Sequence, residues 1–145
     1  MKWKIKEASF NEDTGISYVE IETELGNFSG KSYLHEEDKD IASHFEGCRY
    51  AELRALIKYI KAHIRKQQIK VDTINNIINN MEQLKDYDPD NHEARFIRKQ
   101  YYLELAKCNK LKEILSTIEE RLITDMKGYR KLHEEYMEKI NKKDK

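Results

Sequence analysis

An unbroken apolar stripe, Leu53, Ile57, Ile60, Ile64, Gln67, Val71, Ile74, Ile78 and Met81, constrains this chain more than any other feature. Its steps alternate four and three residues, and only Gln67 is polar. A heptad stripe of this kind lets one helix lie along another and bury a continuous seam. A second stripe follows: Ala94, Ile97, Tyr101, Glu104, Cys108, Leu111, Leu115, Ile118, Leu122, Asp125, Tyr129, Leu132 and Tyr136. Glu104 and Asp125 interrupt it, and Leu105 and Met126 supply apolar cover one residue on. Between the stripes lies Asp86-Tyr87-Asp88-Pro89-Asp90-Asn91, with the sole proline. Proline pushes the residue before it out of the helical region and suits the first turn of the helix after it.

The expected structure is therefore an antiparallel helical hairpin, with a first helix over 49–85, a tip loop over 86–90 and a second helix over 91–140. Folding at Pro89 sets Met81 near Ala94, Ile57 near Ile118 and Leu53 near Leu122. Beyond Leu122 the first helix has no more length to offer, which leaves an overhang of about 25 Å at ~1.5 Å per residue. The overhang keeps an apolar stripe, so Met126, Tyr129, Leu132 and Tyr136 are expected to cover the open face of the N-terminal segment or to form a homo-oligomer interface. Gly128 could bend the helix there. Gln67 at a seam position is a candidate for fixing register.

The first 35 residues change period from 3.5 to two. Trp3 and Ile5 alternate with Lys2, Lys4 and Lys6, which reads as a half-buried strand. Asn11 to Gly15 is a turn, Ile16 to Thr23 a β-favouring strand, Glu24 to Asn27 a tight turn, and Phe28 to Leu34 a third strand. Three short strands so connected form an antiparallel meander that needs a cover. The start of the first helix is apolar on more than the seam, through Ala51, Ala55, Leu56 and Tyr59, and can supply it. Residues 36–48 connect the two parts, with Gly47 breaking the helical pattern. The fold class expected is α+β: a three-stranded antiparallel meander packed on the base of a long antiparallel helical hairpin, as one domain over 1–145.

Chemistry is sparse. No nucleophile elbow, phosphate loop or dinucleotide fingerprint is present, and the five histidines have no partners at fixed spacing. His35, Glu36, Asp38, Asp40 and His44 fit neither a calcium loop nor a zinc helix, and read instead as capping charge at a helix start. The expectation is no enzyme activity, no catalytic residue, no metal and no cofactor. Cys48 and Cys108 are two isolated thiols and read as small buried apolar groups. With 27 basic and 27 acidic residues, no general field favours phosphate. Two basic stretches with aromatic neighbours, Lys58 to Lys66 and Arg95 to Tyr102, keep nucleic acid as an alternative. No apolar run approaches the ~18 residues of a membrane span, and the alternating start has no signal core, so the cytoplasm is the expected compartment.

Tyr87, Phe96 and Tyr102 lie in the outer half of the hairpin, and large half-polar rings there suit protein contact. The runs Gly26-Asn27-Phe28-Ser29-Gly30, Leu34-His35-Glu36-Glu37-Asp38 and Gly47 through Ala55 resemble small proteins of unknown function encoded by phages and prophages of low-GC Gram-positive bacteria. The resemblance spans about residues 16–60. It implies a cytoplasmic accessory or structural phage protein acting on a host or phage protein, and carries over no catalytic residue. Together these readings give a non-enzymatic interaction or assembly protein, homo-oligomeric, binding a protein partner through its hairpin. A phage inhibitor of a host defence system and a nucleic-acid-binding accessory protein are the alternatives.

Overall fold

The computed structural model describes residues 1–33 and 44–143, with the backbone course alone for residues 44–46, 128–134, 136, 137 and 140–143. The elements run β1 (Trp3–Asn11), β2 (Ile16–Thr23), β3 (Gly26–Tyr33), α1 (His44–Glu82) and α2 (His92–Lys143). The strands form an antiparallel sheet in the order β1-β2-β3, packed against two long antiparallel helices that make a hairpin. The α+β architecture expected from the two periodicities is the one observed. Contacts gather into two compact units, Met1–Tyr59 with Ser116–Lys145, and Ile60–Leu115.

The first unit is built on β2. Its burial alternates, with Ser17, Val19 and Ile21 inward. Register sets Ser32, Gly30 and Phe28 of β3 beside them on the same face. The turn between these strands needs a residue at positive φ, and Gly26 adopts +115° there. Thr23 Oγ1 donates to the Gly26 carbonyl at 2.6 Å and accepts the Leu25 N–H at 3.1 Å, which locks the turn. α1 lies on the inward face. Ala51, Ala55 and Tyr59, each one turn apart, are buried against Val19 and Ile21, with Leu25, Phe28, Cys48 and Leu56 around them.

Small residues set the distance of that contact. A Cβ at Gly30 would overlap the Ala51 carbonyl oxygen and lie 2.8 Å from the Ala55 nitrogen. A Cβ at Gly47 would overlap Ser17 Oγ. Gly47 therefore does not break the helix, as its poor propensity suggested; α1 begins at His44 and runs through it, and the missing side chain lets the helix meet β2. The early start also corrects the length of the overhang. In the same unit Arg49 and Tyr50 reach Asp125: Arg49 Nη2 lies 2.9 Å from the buried Asp125 Oδ2, and Tyr50 Oη donates to the Asp125 carbonyl at 3.1 Å. α1 thus still covers α2 beyond Leu122. α2 itself passes Gly128 without ending. The acidic stretch from His35 to Asp40 and the side chain of His44 fall outside the described residues, as does Leu34.

The second departure is β1. β1 is expected as a half-buried strand with Trp3 and Ile5 together on one side, yet both are exposed, at 41% and 49%. They do sit on the helix side of the sheet, opposite Thr23 and Ile21. The buried contacts of α1 fall on β2 and β3, and although Cys48 Sγ donates to the Ser9 carbonyl at 4.0 Å, the helix leaves Trp3 and Ile5 uncovered.

In the second unit every seam position is at least half-buried. Ile60, Gln67, Val71 and Ile78 are buried on α1, and Ala94 and Cys108 on α2. The polar interruptions match across the helices. Gln67 Nε2 donates to the Glu104 carbonyl at 3.0 Å and also to its carboxylate, and Cys108 Sγ donates to Gln68 Oε1 at 3.5 Å. A slip of one heptad would bury Gln67 among apolar side chains and lose both bonds, so the pair holds the register. The donation from Gln67, then that from Lys107, holds the Glu104 carboxyl below the ordinary glutamate range. A carboxyl lowered in the folded state contributes stability above its unfolded value, and this is lost as pH falls through the folded value. Gln67→Leu should return Glu104 toward the ordinary value. Carbon-detected NMR titration should show the rise, and the acid-side fall of the melting temperature should become shallower. An unchanged Glu104 titration would contradict the pairing.

Candidate interaction surface

The outer hairpin loop is wider than expected. α1 stops at Glu82, and Asn91 caps α2 by accepting the Glu93 N–H at 2.9 Å. Asp88 Oδ1 accepts the Asp90 N–H at 2.9 Å around Pro89, and Asp90 pairs with Arg95 at 3.2 Å. Tyr87 is not a free contact residue. The Arg98 guanidinium lies 5.6 Å from its ring centroid and donates to its hydroxyl, while pairing with Glu82 at 3.1 Å. Tyr87 staples the tip to α2.

Phe96 and Tyr102 are 57% and 66% exposed. The structure does not bring them together: six residues apart on a helix, they point about 120° away from each other. Tyr102 instead makes an edge-on contact with Tyr101, ring centroids 5.5 Å apart. Phe96 shares its face with Leu103, one heptad later and also exposed. Ile77, exposed as well, flanks the α1 seam beside Ile78. In an antiparallel pair like flanks meet, so Ile77 lies on the side of the hairpin toward which Phe96 and Leu103 project. Leu103 and Ile77 join Phe96 only through the folded hairpin. The sequence signal for both is that they are apolar residues off the seam.

Of the expected oligomer stripe, Met126 is half-buried, and the side chains of Tyr129, Leu132 and Tyr136 lie outside the described residues. The basic stretches are partly occupied. Lys58 donates to the Ser29 carbonyl at 2.7 Å, and Arg95 and Arg98 are paired with Asp90 and Glu82. Burial, then the charge of Glu52, pushes the Cys48 thiol up, which keeps it protonated and a poor nucleophile. Among the described residues no cluster of three His, Cys, Asp or Glu is placed to hold a metal ion, and no helix is long and apolar enough to cross a membrane. No protein-family model, curated protein or solved structure matches this chain.

Proposed function

We propose that this chain is a non-enzymatic interaction or assembly protein that binds a protein partner through the outer half of its hairpin. One observation carries the reading. The seam consumes the regular apolar stripe, yet Phe96, Leu103 and Ile77 remain exposed on one flank. Apolar surface set among charges is what a helical partner surface needs, and buried aromatic anchors contribute most to such contacts. The resemblance to phage and prophage proteins makes the partner a host or phage protein, and inhibition of a host defence system is one form the binding could take. The pairing of Arg95 and Arg98 with acidic residues weighs against the nucleic-acid reading.

The test compares pull-downs from host lysate by the wild-type protein and by a Phe96→Ala/Leu103→Ala variant. Both residues are exposed, so the variant should unfold within about 0.5 kcal/mol of wild type. A protein captured by wild type should be lost by about tenfold or more in the variant, as removal of an aromatic anchor implies. Equal recovery removes this flank as the contact surface.

A further inference from the structure

The sheet has two edges, and they differ. On β3 the outward carbonyls are occupied: Arg54 Nη1 donates to the Lys31 oxygen and Lys58 Nζ to the Ser29 oxygen, both at 2.7 Å. Side chains of α1 thus close that edge to strand addition. Backbone direction alternates along an antiparallel ladder. Ser29 and Lys31 point outward, so their β2 partners Glu20 and Tyr18 turn toward β1 and bond Glu7 and Ser9. The backbone groups of Ala8, and by the same alternation those of Trp3 and Ile5, then point out of the sheet.

The apolar side chains of β1 gather on one face. Trp3, Ile5 and Ala8 stand opposite Thr23, Ile21 and Val19, on the side where α1 packs, and all three are exposed. The bulge between Ile5 and Glu7 makes this possible. Without the bulge, strict alternation through Lys6 would turn Glu7 inward and Ala8 outward. Charge is divided about the strand, within which Lys4 and Lys6 precede Glu7. Lys2 stands just before the strand, and Glu12 and Asp13 just after it.

We propose that β1 is the docking site of a second copy of this chain, added antiparallel about a two-fold axis so that the two sheets run on as one. The charge division selects this occupant. A register that sets Ile5 against Ala8 of the second copy also sets Lys6 against Glu7, twice over by symmetry. Stacking in parallel register would set lysine against lysine. The lysines therefore guard the edge against open-ended pairing while admitting the closed antiparallel one. The joined face places the uncovered Trp3 and Ile5 of both copies beside each other's strands. This interface uses none of the hairpin residues invoked above and is separate from the Met126 stripe, so it stands or falls independently of the partner-binding reading.

Light scattering of the full chain across the micromolar range should show a monomer–dimer equilibrium. Ile5→Lys should be monomeric with an unchanged circular dichroism spectrum. Lys6→Glu and Glu7→Lys should each weaken the dimer by about tenfold, as cross-strand charge pairs turned repulsive imply, and the double swap should restore it. Amide exchange at Trp3, Ile5 and Ala8 should slow as concentration rises. A wild-type monomer throughout, an Ile5→Lys variant that dimerises normally, a double swap without recovery, or growth into open-ended assemblies would each overturn the proposal. A dimer lost in Met126→Lys but kept in Ile5→Lys would do so too.

Discussion

Gly30→Ala should lower the unfolding free energy by about 3 kcal/mol, at the upper end of what overpacking a core contact costs. The added methyl would meet the Ala51 carbonyl oxygen and the Ala55 nitrogen. These are backbone atoms of α1 and cannot swing aside as a side-chain tip would. Relief requires the helix to lift from the sheet, and lifting it opens the contact of Ala51, Ala55 and Tyr59 with Val19 and Ile21, all at most 1% exposed. Urea denaturation should show the loss as a lower midpoint with an unchanged slope. Asn27→Ala, at an exposed position on the same strand, is the control and should move little. A Gly30→Ala protein as stable as wild type would mean that helix and sheet do not approach as closely as described.

Tyr59→Ala should cost about 4 kcal/mol, as deletion of a fully buried aromatic ring does. Tyr59 is 1% exposed and tilts against Phe28 with ring centroids 5.7 Å apart. Its hydroxyl donates to the Glu24 carboxylate at 2.6 Å. Tyr59→Phe keeps the ring and loses that bond together with the longer donation to the Lys2 carbonyl at 3.4 Å. Because Glu24 is exposed and can be rehydrated, the cost should be about 1 kcal/mol. The two variants separate ring packing from hydrogen bonding, and a third measurement follows from titration. Burial first, then the bond to Glu24 and its charge, pushes the Tyr59 phenol far above its ordinary value of 10.0. A group raised in the folded state stabilises fully below its unfolded value and loses that contribution as pH rises toward the folded one. Wild type should therefore lose stability above about pH 10 by a component that Tyr59→Phe lacks. Parallel alkaline stability curves for the two proteins would contradict the buried, bonded phenol.

Much of the architecture could be read from residue spacing because helices and strands impose periods that side chains must obey. The stripe from Leu53 to Met81 is buried or half-buried at every position, and so is that from Ala94 to Asp125. Even the irregular positions were legible as irregular. Gln67 and Glu104 were out of place in an apolar seam, and the structure bonds them to each other. What spacing could not convey was which surface a residue would meet. Gly47 looked like a helix break because propensity concerns the isolated helix, and the close approach of Ser17 is a tertiary fact. Tyr87 looked like a partner-contact ring because Arg98, which it meets, is eleven residues away.

The sequence alone determined the two helices, their antiparallel seam, the three strands and the turns at Gly15 and Gly26, since each is a local or periodic preference carried by neighbouring residues. Only the tertiary structure decided where α1 lies on the sheet. It sits over β2 and β3, where Gly30, Gly47, Ala51 and Ala55 let backbones approach, and it leaves Trp3 and Ile5 uncovered. Alternation places an apolar side chain on a face, but burial depends on how far a helix of fixed width reaches across that face.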